Sequence, residues 1–134
     1  MSNFDFGIAL KRMFTNNFNR QNNEKVLFIT DYAPSEYNIP PVRMEIINER
    51  AKFVELLYSL AKDIIGDQFV TFKKYPATLQ SGKEIPLEIV EEMKKHDIFV
   101  AITSYSMSHT KARHEACAVG ARGASMPGFT PDMF

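Results

Sequence analysis

Apolar residues at Phe6, Ala9, Leu10, Met13 and Phe14 recur at three- and four-residue steps. That period predicts an amphipathic helix from Asn3 to Phe18, ended by the polar run Asn19-Arg20-Gln21-Asn22-Asn23. Val26 to Thr30 is short and almost wholly apolar before Asp31, the pattern of a strand covered on both faces in a parallel sheet. Residues 31–43 carry Pro34, Pro40 and Pro41 with little periodicity, which predicts an extended loop. Ile47, Ala51, Val54, Leu57, Tyr58, Ala61, Ile64 and Ile65 then hold the helical period through a long second helix, closed by Gly66.

Alternation from Gln68 to Phe72 predicts the second strand. Pro86 suits a first helical position, where its missing N–H is no loss, and a third helix should run to about His96. Its carboxylates Glu88, Glu91 and Glu92 precede Lys94, Lys95 and His96, an order that complements the helix dipole. Ile98 to Thr103 is the expected third strand, residues 109–120 the fourth helix, and Ala124 to Met126 a short fourth strand. Strand and helix alternate without a repeat or linker, so residues 1–134 should form a single α/β domain of three layers, Rossmann-like or flavodoxin-like. Its sheet should be mainly parallel, with about four strands and helices on both faces.

Composition narrows the partners. Lysine plus arginine and aspartate plus glutamate both total 16, so no basic excess draws the chain to nucleic acid or to an anionic membrane. The N-terminus lacks a signal-peptide order, and no apolar run approaches the roughly 18 residues of a membrane span. Cys117, the single cysteine, excludes an internal disulfide and fits a reducing compartment, so a cytoplasmic location is expected. Placed between Ala116 and Ala118, it should be core filling.

Candidate chemistry collects in the C-terminal quarter, where an apolar strand empties into Thr103, Ser104, Tyr105, Ser106, Ser108 and Thr110 before a helix bearing cations. Free N–H groups at a helix start, with these hydroxyls and Arg113, suit a carboxylate or phosphate. Ser108 as a plain helix cap, with Arg113 paired to a neighbour such as Glu115, explains the same residues. Arg122, flanked by Gly120 and Gly123, reaches the same crevice in one reading and lies in solvent beside a helix end in the other. Asp31, just past the first strand, caps the following loop or contacts ligand. Thr30-Asp31-Tyr32-Ala33-Pro34 holds neither a dinucleotide fingerprint nor a phosphate-loop sequence, which argues against the enzymes built on those motifs. His109 and His114 are spaced five apart, unsuited to sharing one metal on a helix face, and no second histidine follows Glu115 at a zincin step.

The run Thr103-Ser104-x-Ser106-x-Ser108-His109-Thr110-x-Ala112-Arg113-x-x-Ala116, followed by Gly120-Ala121-Arg122-Gly123-Ala124-x-Met126-Pro127-Gly128-x-Thr130-x-Asp132-Met133, resembles the N-terminal domain of leucyl aminopeptidases of the aminopeptidase T and aminopeptidase S type, a thermophilic metallopeptidase family. Residues 1–95 match it only in strand and helix order. The resemblance implies a dimeric, two-domain metallo-exopeptidase acting on peptide N-termini with two divalent ions, zinc, cobalt or similar. It implies too that the metal ligands lie in a C-terminal catalytic domain with no counterpart here. Residues 1–134 alone would then bind no cofactor and be inactive, and would help build the substrate cavity and the domain or dimer contacts. Ser108, His109, Thr110 and Arg113 would serve those contacts or line the cavity. Thr130-Pro131-Asp132 reads as a helix start close to Phe134, so further residues downstream are expected. The alternative is a stand-alone module that binds a small anion or a partner protein without enzymatic activity, its candidate contacts being Ser106, Ser108, His109, Thr110, Arg113 and Arg122.

Overall fold

A computed structural model describes residues 3–80, 82–105, 111–125 and 128, excluding the side chains of 3, 4 and 111–113. Helix α1, Asn3–Arg12, passes into a π-helical turn at Met13–Asn17. The wider turn brings Met13, Phe14 and Phe18 to one side, where all three are buried with Phe6 and Leu10. Strand β1 is Val26–Tyr32, followed by helix α2 at Pro41–Ile65. Strand β2, Val70–Pro76, follows a 3₁₀ turn at Asp67–Phe69, so it begins and ends later than the alternation of Gln68 to Phe72 suggested. Helix α3 is Leu87–Lys94, strand β3 is Ile98–Ala101, helix α4 is Lys111–Ala118 and strand β4 is Arg122–Ser125.

The four strands form one parallel sheet in the order β2-β1-β3-β4. Apolar side chains alternate between its two faces. Val26, Phe28, Ile98, Val100 and Ile102 pack with α1 and with Phe53, Val54, Leu57 and Ala61 of α2. Leu27, Ile29, Phe99 and Ala101 pack on the other face with Ile89, Val90 and Met93 of α3 and Ala116 of α4. This is the expected α/β fold with helices on both faces. Among the described residues, no helix is long and apolar enough to cross a membrane.

Because β1 lies between β2 and β3, the connections leaving the carboxyl ends of β1 and β3 depart to opposite sides. A crevice at such a reversal is where open α/β sheets place ligands. Ala33, Ile47 and Ala77 form a small buried cluster beside it, with Tyr37, Ile39, Met44 and Tyr105 packed around.

Candidate functional site

The chain leaves β1 through Asp31, which is fully buried. Its exit is pinned by Asn48 of α2, whose Oδ1 accepts the Ala33 N–H at 2.8 Å while Nδ2 donates to the Ala33 carbonyl at 3.2 Å. Across the crevice the Thr103 hydroxyl donates to the Tyr105 carbonyl at 2.7 Å and folds the segment after β3 into a turn. That turn presents the Ser104 N–H to Asp31 Oδ1 at 2.8 Å. Asp31 Oδ2 is buried with no hydrogen-bond partner among the described residues. An unpartnered buried polar atom costs about 1–3 kcal/mol, so it marks a group retained for something other than stability.

Two guanidinium groups reach the same turn from α2. Arg50, only 9 % exposed, donates from Nη1 to the Ser104 hydroxyl. Arg43, two turns earlier on that helix, sets its guanidinium over the Tyr105 ring at 5.2 Å and donates from Nε to Tyr105 Oη at 3.4 Å. Burial pushes the Asp31 carboxyl above its ordinary value of 3.8, against the opposing pull of the Ser104 and Tyr105 N–H groups, the Ser104 hydroxyl and the Arg50 charge. Burial also pulls the Arg50 guanidinium down, and Arg43 reinforces that by repulsion while Asp31 opposes it. Desolvation outweighs mutual attraction at both groups, the usual outcome for buried charges. Tyr75, the register neighbour of Asp31 on β2, is pushed well up by burial first and the Asp31 charge second.

Of the residues expected in the site, Ser106, Ser108, His109 and Thr110 lie outside the described residues, as does the side chain of Arg113. Arg122 does not join the crevice. Strand β4 begins at Arg122 rather than at Ala124, which puts this residue opposite Ile98 at the amino ends of the strands, away from Asp31. It is no free surface cation either. It holds Glu24 in a two-pronged pair, Nη2 to Oε1 at 2.6 Å and Nη1 to Oε2 at 3.0 Å, and donates from Nε to the Phe18 carbonyl at 3.0 Å. Arg122 therefore ties the end of the first helical segment to β4.

The bonds from Arg122, then the Gln21 N–H, hold the Glu24 carboxyl down at about 2, against an ordinary 4.5. A carboxylate depressed in the folded state contributes stability that is present above pH 4.5 and lost as pH falls through about 2. The arginine side chain is 40 % exposed, so screening limits this to about 1 kcal/mol at pH 7. Glu24→Gln should lose that amount at pH 7 and little at pH 2, read from urea unfolding at the two pH values.

The glycines of the C-terminal motif have structural roles. Gly120 ends α4 with φ +100°, a conformation that L side chains rarely adopt, and its N–H reaches the Cys117 carbonyl at 3.0 Å. Gly123 faces the Phe99 ring so closely that a Cβ would sit 2.5 Å from three ring atoms. Gly128 donates its N–H to the Thr103 carbonyl at 2.8 Å. One residue from each half of the motif, Thr103 and Gly128, thus meets at the carboxyl end of β3.

The described side chains do not fit a two-ion metal centre, since no three histidine, cysteine, aspartate or glutamate side chains among them converge. His96 is engaged at both ring nitrogens, by the Glu92 carbonyl at 2.7 Å and the Thr71 hydroxyl at 3.1 Å. Cys117 is exposed, correcting its expected place in the core; Ala116, one position earlier on α4, takes the buried position. Arg43 and Arg50 are the site residues that the search for hydroxyls and cations near α4 missed. For Arg50 a signal was present, because Ile47, Arg50, Val54, Leu57 and Ala61 follow the three- and four-residue steps of a buried stripe, all five being buried. No protein-family model, no curated protein and no solved structure matches the chain.

Proposed function

We propose that the chain serves as the non-catalytic N-terminal domain of a leucyl-aminopeptidase-like metallo-exopeptidase, shaping one wall of its substrate cavity with the carboxyl end of the sheet. One observation supports this above the rest: the Gly128 bond to Thr103 joins the two stretches that carry the family resemblance, and does so at the sheet end where α/β domains meet their ligands. A motif that served only to terminate α4 would have no need of that meeting. In this reading the two divalent ions, zinc, cobalt or similar, belong to a partner domain of the same native product. The chain contributes surface for the peptide and for domain or dimer contacts. Two ions that polarise a carbonyl and activate water need several fixed ligands in one open site, and the described side chains do not form one.

The test is release of leucine from a chromogenic leucyl amide with divalent metal added. The native product, purified from the cells that make it, is expected to release leucine and to stop when a chelator is present. Residues 1–134 alone are expected to release none. Activity in the isolated chain, or none in the native product, contradicts the proposal.

A further inference from the structure

The geometry points to a binding site for a small oxyanion, a carboxylate or phosphate group, between the start of α2 and the Ser104–Tyr105 turn, gripped by Arg43 and Arg50 with Asp31 beneath. This site does not use α4 and stands whether or not the native product is a peptidase. Three independent features converge on it. The first is position, at the crevice where the connections from β1 and β3 diverge.

The second is a pair of like charges placed against one another. Arg43 and Arg50 lie on one face of α2, close enough for the Arg43 charge to disfavour that of Arg50. Arg43 is half-buried and oriented by Tyr105 through Nε and the ring face; its two terminal nitrogens have no hydrogen-bond partner among the described residues. A guanidinium held this way presents a fork of donors that matches two oxygens of a carboxylate or phosphate. The third feature is Asp31 Oδ2, a fully buried carboxyl oxygen with no hydrogen-bond partner among the described residues. When protonated it can donate to an anion that its charged form would repel, so binding should take up a proton.

Arg50 from α2, Tyr75 from β2 and Tyr37 from the loop before α2 share the field of the Asp31 charge, and Arg43 stands against Arg50 and the Tyr105 ring. The tyrosines with shifted hydroxyls, Tyr37 and Tyr75, are pushed upward, so they stay neutral between pH 5 and 8. The arginines stay charged over the same range. Asp31, whose carboxyl is pushed up by burial, is therefore the group among these whose protonation can make affinity depend on pH.

Thermal unfolding of the 134-residue chain should be followed against sulfate concentration, since sulfate keeps its charge between pH 5 and 8, with ionic strength matched by sodium chloride. Parallel acetate and inorganic phosphate series at one pH identify which oxyanion the site prefers. The melting temperature should rise with the logarithm of ligand concentration. Arg43→Gln, a half-buried position near the helix start, should fold and bind at least tenfold more weakly. Sulfate affinity should fall as pH rises and Asp31 loses its proton. Asp31→Asn keeps an acceptor for the Ser104 N–H and places an amide donor at Oδ2, so it should bind with a flat pH profile. An increment that Arg43→Gln retains in full, or binding that tightens as pH rises, overturns the site.

Discussion

Gly123→Val should destabilise the domain by about 3 kcal/mol, the upper part of the range for forcing methyl groups into a filled core. A Cβ at this position would stand 2.5 Å from three atoms of the Phe99 ring, a distance real Cβ contacts essentially never show. The ring cannot swing aside, because Phe99 is completely buried between Ala101, Ala116, Ala121 and α3. Nor can the backbone retreat, since β4 is held to β3 in parallel register from Arg122 to Ser125. For a domain of this size the loss lowers the melting temperature by roughly 10 °C or more. Phe99→Leu, which removes ring atoms from the contact, should cost stability alone and yet recover part of the loss when combined with Gly123→Val. A double variant no better than the sum of the two single losses would show that the close approach is not what requires glycine here.

Arg50→Met should also cost about 3 kcal/mol at pH 8, for a different reason. The arginine supplies a positive charge that acts on a wholly buried carboxylate, and it holds the Ser104 turn whose N–H bonds Asp31. Methionine fills much of the volume and leaves Asp31 without its compensating charge. The pH dependence carries the signature. A carboxyl raised in the folded state binds its proton more tightly there than in the unfolded chain, so its contribution to stability is fully present below pH 3.8 and is lost as pH rises through the folded value. Arg50→Met raises that folded value further, so the loss should be small at pH 4 and large at pH 8. Adding Asp31→Asn removes the charge and should restore most of the stability at pH 8. A loss independent of pH and indifferent to Asp31 would mean that Arg50 acts through packing alone.

How far the sequence discloses these features depends on what each residue does. The apolar run of β1 and the stripe of α2 were legible because burial on a sheet or along a helix imposes a period on the chain. The end of α1 was less so: in the π turn the Phe18 N–H bonds the Met13 carbonyl five residues back, a step the regular helical period does not contain. Strand β2 slid past its expected bounds because it is an edge strand whose Lys73 and Lys74 look outward, which weakens the alternation that marks a half-buried strand. Arg122 was misread because a turn leading into a parallel strand lies at the amino end of the sheet, opposite the crevice at the carboxyl ends. Asp31 was readable as a residue past a strand. Its coupling to Arg50 and Ser104 was not, since these lie 19 and 73 positions away and meet only through the strand order. Local pattern reports burial, whereas a site at a topological switch is assembled from contacts distant in sequence.

Those contacts give the C-terminal motif a place. Thr103 and Ser104 open the turn over Asp31, Gly123 lets β4 lie against Phe99, and Gly128 returns to Thr103. The sheet end built this way lies at the switch point where open α/β sheets place ligands, and under the proposed function it would face a metal-bearing catalytic domain. The measurement that bears most directly on this account is the intact mass of the native product from the cells that make it. The account predicts a polypeptide well above the 15.3 kDa of these 134 residues, with the metal ligands in the additional part. A native product of 15.3 kDa would contradict it and leave the domain as a small-ligand or interaction module in its own right.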